Sequence, residues 1–435
     1  MKTSLLTDQS FDVIVCGAGS GGVAAACSAA MQGAKTLLLE RHGYGGGTIT
    51  AAMIHTLDAV KSCEDNEKTV VGGFASELME EVRALGGLVT DDNPPEADVV
   101  HPEIYKVAVD RLLERHGVTV LYHAHVCGAI MHNNQIVGVE AALRDGWARF
   151  HGVVIIDGTG DAEIAYQAGV PWSLDKELQA MTYHFRLGGI DAAPNWQKWE
   201  EITRHAMQSA HAAGEIDVFG GPWIIRMNNA EISLNTTRVY GNPVDPLEVS
   251  AAERKARAQM VLIHNILRRR VPGLAQSYIL AGASQLHIRE SRKIQGDYML
   301  TEDDIRLGTH FPDAIAIGAW PIDIHPTNGG VGVHPHKDQP PVPYEIPYRC
   351  LVPQGVDGLL VVGKAISTTH RAHGSTRVPG TSIATGQAAG LAAALAVKQK
   401  VAPRNLDVAL LRKHLLAQNA IVNAGSRISK SSTPL

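Results

Sequence analysis

"FDVIVCGAGSGGVAAACSAAMQGAKTLLLE", residues 11–40, decides the fold. FDVIVC (11–16) is a short apolar run rich in β-branched residues, as a parallel strand buried on both faces should be. It runs into Gly17-Ala18-Gly19-Ser20-Gly21-Gly22, after which VAAACSAAMQG reads as a helix stopped by Gly33. AKTLLLE (34–40) is a second parallel strand that ends on Glu40. Strand, glycine turn, helix, strand and terminal acid in one unit make the βαβ dinucleotide fingerprint, with the acid near the expected offset of ~20 residues. Gly17 allows the tight turn, Gly19 lets the backbone approach a pyrophosphate, and Gly22 lets helix and strand pack closely. The helix N-terminus offers N–H groups and positive dipole to phosphates, and Glu40 is placed to accept from a ribose.

RHGYGGGTIT (41–50) follows at once, a second glycine cluster after the ribose carboxylate. A nicotinamide enzyme has no special need of it. An extended flavin-adenine dinucleotide does, because its pyrophosphate and ribityl require backbone approach from a second side. Gly46 and Gly47, with Thr48 beside them, are the expected contact points.

Bulk properties agree with an ordinary globular enzyme. The 435 residues favour two domains or a discontinuous one, and 45% hydrophobic with 19% charged residues is unexceptional. A net charge of -5 without a basic run argues against nucleic acid, and 5% aromatic content argues against stacking platforms. Cys16, Cys27, Cys63, Cys127 and Cys350 form no C-x-x-C pair, so neither an iron–sulfur ligand set nor a redox dithiol is signalled. Scattered cysteines fit a reducing cytoplasm. No signal peptide is expected at the N-terminus, and the alanine-rich run at 390–400 is too short to span a bilayer. Cytoplasmic residence, no membrane and no nucleic-acid partner are therefore expected. The oligomeric state, a homo-oligomer included, and the electron acceptor stay open.

Further along, helices are expected within 72–87 and over 102–117, a strand over 118–126, and a hairpin turning at Asn133-Asn134. Another buried strand ends at Asp157-Gly158. From about 165 to 345 the composition changes, gathering tryptophans 172, 196, 199, 223 and 320 and an amphipathic helix after Pro194. This block reads as a second domain inserted into the first. GLLVVGKA (358–365) then returns the chain to the nucleotide sheet.

Gly17–Gly22, Glu40-Arg41, Gly46-Gly47, DGTGDAEIAYQAGVP (157–171) and GLLVVGKAIS…GQAAGLAAA together resemble the FAD-dependent oxidoreductase family. This is the glutathione-reductase-type group, distantly similar to fumarate reductase and succinate dehydrogenase flavoproteins. RESRKIQGDYMLTEDD (289–304), PIDIH (321–325) and IPYRCLVP (346–353) are similar to its recurrent segments, so the likeness runs from about 11 to 397. It implies an α/β fold: a Rossmann-type FAD-binding domain, discontinuous in sequence (1–165 and 346–400), an inserted α+β substrate or cap domain (166–345), and a tail (401–435). It also implies that Arg41 touches the adenosine half, Val126 at its strand end meets adenine, and Asp157 and Gly158 approach the dinucleotide. Gly363 would lie near the ribityl, and the backbone of Thr381, Ser382 and Ile383 near the pyrimidine edge. Where many such proteins have Gly-Asp at the ribityl, this chain has Gly363-Lys364. The iron–sulfur cysteines of the heterodisulfide-reductase branch are missing. His42 is not at the spacing of a covalent tether, so the FAD is expected to be non-covalent.

THRAHGSTRVPGTSIATGQAAG (369–390) sets two histidines and two arginines before a helix of small residues. Thr381 and Ser382 are expected to cap its first turn, and Gly386, Ala389 and Gly390 to hold it close to the sheet. On the resemblance, its N–H groups face the flavin and its upstream cations the substrate. The expected activity is oxidation of a small polar molecule (alcohol, hydroxy acid or amine) by hydride transfer to flavin N5. The alternatives are a C=C reductase of fumarate-reductase type and an electron-transfer subunit acting with a partner. A neutral histidine suits the proton step and an arginine suits a carboxylate. His370 or His373 is the expected base and Arg377 the anchor, with Arg289 and His325 as second choices. His334-x-His336 lacks a completing ligand set, so no metal is expected.

Overall fold

The structure is a computed structural model that describes residues 10–62, 68–89, 97–191, 196–325 and 343–425. Cys63 and the pair His334 and His336 lie outside the described residues. The buried run at 11–16 forms β1 (Ser10–Cys16), and β2 (Thr36–Leu39) lies parallel beside it with Val15 opposite Leu38. Beyond β2 comes Thr119–Leu121, parallel again. On the other side of β1 lies the long strand Gly146–Asp157, which has two further partners on its far edge. Its C-terminal end pairs in parallel with Leu359–Val361, and its N-terminal half pairs antiparallel with Gln135–Leu143. The chain is thus mixed α/β around a seven-stranded, mainly parallel sheet.

The Asn133-Asn134 hairpin forms between His125–His132 and Gln135–Leu143, with Asn133 at φ 55. The single strand expected over 118–126 does not form. Thr119–Leu121 ends on the sheet, the chain turns at His123 with φ 56, and a new strand starts at His125. Val126 is therefore near a strand start, and it faces the nucleotide edge from there.

The helices explain why small residues matter here. In α1 (Ser20–Met31) every residue from Gly21 to Ala29 is buried. The amphipathic α2 (Phe74–Ala84) and α3 (Pro102–Arg115) cover the same side of the sheet with Phe74, Leu78, Tyr105 and Leu112. A short α4 (Glu163–Gln167) follows the central strand. In the middle block, α5 (Trp196–Ala212) and α6 (Pro246–Arg270) pack on a four-stranded antiparallel sheet ordered 223–228, 231–235, 185–188 and 278–282. Phe185, Leu187, Ile232 and Leu234 meet Met207, Ile263 and Leu267 there. The α6 start is written locally. Asp245 accepts from the N–H groups of Leu247 and Glu248, and Pro246 fills the first turn, where its missing N–H costs nothing.

After α7 (Glu302–Leu307), the strand Ala314–Gly318 pairs antiparallel with Tyr344–Pro347. Both bury their apolar side chains in the core that holds α1, so residues 300–319 pack with the nucleotide sheet rather than with the antiparallel one. The chain closes with α8 (His370–Thr376), α9 (Pro379–Gln399) and α10 (Val408–Ala417).

The small-residue helix α9 lies against α1 most closely and shares the same core with the sheet strands. A Cβ at Gly386 would sit 2.1 Å from the Gly21 carbonyl oxygen, and one at Gly390 would sit 2.0 Å from that of Ala25. Ser28 Oγ donates to the Gln387 carbonyl at 2.9 Å across the same seam. The α9 start is also not capped as expected: its N-cap is Val378, the Ser382 hydroxyl turns back to the Val378 carbonyl at 3.0 Å, and Thr381 Oγ1 is buried without a partner. Among the described residues α9 is the one helix long and apolar enough to cross a membrane, and it is buried inside the protein.

Candidate active site

The three glycines of the first loop do different work. Gly17 has φ 95, and a Cβ there would lie 2.6 Å from the Gly158 oxygen. A Cβ at Gly22 would sit 1.8 Å from the Gly17 oxygen, so the turn itself requires that glycine. Gly19 differs: its φ of -69 and ψ of 179 suit any residue, and a Cβ would meet only the Gly158 oxygen, at 3.8 Å. Nothing in the chain demands glycine at 19. What the Cβ would enter is a cavity of about 850 Å³, toward the large end of ligand sites, which span ~300–1,000 Å³.

Gly17, Gly19, Glu40, Arg41, Gly47, Thr48, Val126, Gly158, Gly363, Lys364 and Ser382 all line this cavity. Gly22, Gly46, Asp157, Thr381 and Ile383 sit behind its wall. Gly46, at φ 107, gives its N–H to the Ala18 carbonyl and shapes the second loop. Asp157 is fully buried and spends its carboxylate on the N–H groups of Thr159, Ile164 and Ala165 and on the Thr159 hydroxyl. It fixes α4 rather than a ligand. Thr381 and Ile383 are buried under the first turn of α9.

Glu40 ties the two glycine loops together. One carboxylate oxygen accepts from Ala18 N–H at 2.6 Å and the other from His42 N–H at 2.8 Å. Each oxygen keeps a second lone pair for a hydroxyl. Arg41 and His42 both reach Gln285 Oε1, at 2.8 and 3.1 Å, and Tyr44 donates to Ser284, so the middle block clamps the second loop. The departure at Lys364 has an answer in space. Its ammonium lies 2.6 Å from Asp161, which also accepts from Ser291, so an acid from elsewhere in the chain stands beside Lys364. An open phosphate approach at a helix N-terminus, a ribose acid and a cavity running to α9 fit a bound FAD.

At the α9 end of the cavity stands Arg377, whose side chain is 8% exposed. It donates to Asp323 Oδ2 at 2.9 Å and to the Asp323 carbonyl at 3.2 Å, while its Nε is buried without a partner. The same Oδ2 receives His325 Nε2 at 3.2 Å, which leaves His325 Nδ1 as the acceptor nitrogen, 3.4 Å from Arg238. Burial, and then Arg289, push His325 down to about 3, so the ring is neutral near pH 7. Burial alone would raise Asp323, but His325, Arg377 and Arg289 outweigh it and hold the carboxyl well below its usual range. Arg289, 2% exposed, and Arg238, 5% exposed, both donate to the Thr182 hydroxyl.

Three of the five expected catalytic residues, Arg377, Arg289 and His325, therefore converge. They are joined by Asp323 and Arg238, which the sequence did not mark. His370 and His373 do not reach the cavity wall. His370 Nδ1 lies 2.8 Å from Glu290 Oε1, and that bond raises its pKa, so the ring holds a proton more readily than a free imidazole. His373, within α8, is fully buried, with Nε2 on the Arg289 carbonyl at 3.0 Å, and burial pushes it down to about 3. Glu290, Asp175 and His370 have the geometry of a metal ligand set, but the Lys293 ammonium stands 2.8 and 2.5 Å from the two carboxylates. A buried ion network fills the place a cation would take.

The family described as FAD dependent oxidoreductase matches residues 12–415. Among solved structures, a geranylgeranyl bacteriochlorophyll reductase-like protein from Thermoplasma acidophilum is 13% identical with a TM-score of 0.50, covering 95% of this chain and 84% of that one. The myxobacterial chondrochloren halogenase is 15% identical with a TM-score of 0.49, over 93% and 78%. An anhydrotetracycline hydroxylase from Streptomyces rimosus is 11% identical with a TM-score of 0.49, over 94% and 66%. At such identity the first of these speaks to the fold alone.

Proposed function

The chain belongs to the FAD-dependent oxidoreductase family, and from that premise we propose that it oxidises a small polar substrate at a CH–OH or CH–NH bond. It is a flavoenzyme, and bound FAD supplies a two-electron acceptor. The observation that carries the reading is the meeting of Asp323 and the buried His325 with Arg377, which itself lines the cavity beside α9. Asp323 fixes His325 with Nε2 as donor, and Nδ1, the acceptor nitrogen that Arg238 faces at 3.4 Å, is the atom that would take a proton from the substrate's hydroxyl or amine; aligned bases contribute ~10²–10⁴-fold. Arg377 orients the substrate from the same carboxylate. Behind Arg377 stand the buried Arg238 and His325, both against the Trp223 ring.

Anaerobic mixing of the holoprotein with a metabolite panel tests the reading. One substrate should bleach the yellow flavin with no other reactant. NADH and NADPH should not bleach it quickly, since FAD occupies the one dinucleotide fingerprint. Rapid bleaching by either nicotinamide would overturn the dehydrogenase reading in favour of a C=C reductase or hydroxylase. In the same assay His325→Asn should keep FAD and slow substrate-driven reduction by about 10²-fold or more. Wild-type rates in that variant would remove His325 from the proton step.

A further inference from the structure

Arg292, in the middle block, lines the cavity, as do Arg41 and Lys364. Those two cations are engaged, Arg41 by Gln285 at 2.8 Å and Lys364 by Asp161 at 2.6 Å. Arg292 is not. A guanidinium carries five N–H donors, yet among the described residues Arg292 makes no ion pair and a single hydrogen bond, to the Asp161 carbonyl at 3.4 Å. That is long for such a bond, and its Nε is buried without a partner. Glu163, another cavity residue, is near enough to feel the charge but does not pair with it.

The side chain is nonetheless fixed. Its guanidinium lies over the Tyr166 ring at 4.4 Å and the Trp172 ring at 5.4 Å, and those rings meet edge to face at 5.9 Å. The chain is held on either side of it: Ser291 donates to Asp161, and the Lys293 ammonium sits between Asp175 and Glu290. An arginine stacked on aromatic faces keeps its plane while its N–H edge stays free, the form that meets a phosphate at two points. Such a side chain loses little freedom when a ligand arrives.

The loop 158–161 sets Arg292 against the phosphate end of the cofactor site. Gly158 abuts the first glycine turn, since a Cβ at Gly17 would lie 2.6 Å from its oxygen. Asp161, at the other end of the loop, touches Lys364, Ser291 and Arg292. An anion lying on the α1 N–H groups therefore has Lys364 and Arg292 across this loop. Of the acids in the same stretch, Asp157 is spent on N–H groups and Asp161 on Lys364. Burial, and then Asp161, lift Glu163 to about 7, so its charge is only part-formed near neutral pH.

We infer that Arg292 closes on the pyrophosphate of bound FAD from the middle block, facing the α1 N–H groups, so that the cofactor fastens the two parts of the chain together. The inference rests on FAD occupying this cavity and is independent of the substrate. A glycine turn and a helix N-terminus hold phosphates from the nucleotide sheet alone; Arg292 adds a contact from the inserted residues.

Titration of the apoprotein with FAD, ADP and adenosine, at low and at moderate salt, tests this. FAD and ADP should bind Arg292→Gln about 10- to 100-fold more weakly than wild type, the value of one charge-assisted contact. Adenosine should bind both alike. Salt should weaken FAD binding more in wild type than in the variant. At saturating FAD, a protease should cut the middle block of Arg292→Gln faster than that of wild type, while the two apoproteins are cut alike.

Equal FAD and ADP affinities in wild type and Arg292→Gln would overturn the proposal and leave the arginine as a packing residue. An equal loss with adenosine would move the contact to the nucleoside and overturn the phosphate assignment. Identical cutting at saturating FAD would overturn the fastening of the middle block. If the Arg292→Gln apoprotein melts below wild type, Arg292→Met, which keeps the stem over the rings without the charge, takes its place, and wild-type FAD affinity there sinks the proposal. A wild-type chain that binds neither FAD nor ADP would instead sink the cofactor reading itself.

Discussion

Replacing Gly19 with valine should give a folded protein that no longer holds FAD. The backbone at 19, φ -69 and ψ 179, is one valine adopts readily, and the only chain atom near its Cβ is the Gly158 oxygen at 3.8 Å. Fold and stability of the apoprotein should therefore match wild type. The branch instead enters the space above the α1 N-terminus, where a pyrophosphate would lie against N–H groups. Loss of two charge-assisted contacts, each ~1.5–3 kcal/mol, corresponds to roughly 10²–10⁴-fold weaker binding. Cofactor content after gel filtration and the melting temperature of both apoproteins decide it. A yellow Gly19→Val protein with one FAD per chain would show that the cofactor lies elsewhere. Gly22→Val serves as the contrast, because its Cβ would sit 1.8 Å from the Gly17 oxygen and the fold should fail with the binding.

The second large effect is acid lability. Burial holds His55, His325 and His373 at about 3 in the folded protein, whereas unfolded histidine titrates near ~6.5. Between those values the unfolded chain binds protons that the folded one refuses, so stability falls as pH drops below ~6.5. Each such histidine contributes up to ~1.4 kcal/mol per pH unit. Glu163 opposes one of them: burial, and then Asp161, raise it to about 7, so there the folded state holds a proton that the unfolded chain has lost. Three histidines against one glutamate leave a loss of about 4 kcal/mol between pH 6.5 and 5. His184 and His287, also driven low by burial, act in the same direction. Urea midpoints at pH 7, 6 and 5 with FAD in excess would show it. A flat profile over that range would mean that these rings are not neutral inside the fold.

The nucleotide half was legible because its signals are local. A buried strand, glycines at set offsets and a terminal acid lie within thirty residues, and each has a direct backbone reason. Gly19 and Gly22 even separate by role once a Cβ is built on each. The substrate end was legible only in part, because its members are distant in sequence and carry no spacing. Arg238 sits in LNTTRVYG, where nothing marks it, and becomes significant only when the fold sets it beside Arg289 and His325. Proximity in sequence to α9 favoured His370 and His373 over His325. The turn of α8 sends both behind the wall, one to Glu290 and one to the Arg289 carbonyl. The strand over 118–126 failed for a similar reason. Its alternation is real, but the positive φ at His123 that breaks it is set by the surrounding sheet rather than by the local pattern.

The seam between α1 and α9 bears on how the chain comes to be folded at all. Ser28 and Gln387, bonded across it, are 359 positions apart. A helix with no polar face needs cover on every side, and for α1 part of that cover is among the last structure to be synthesised. At ~5–20 residues per second, a nascent chain carries α1 incompletely covered for roughly 20–70 s. Through that interval the antiparallel block can fold as a local unit while the nucleotide half waits, open to aggregation and to chaperones. Assembly of the cofactor site is then the closing event of translation, not its opening one.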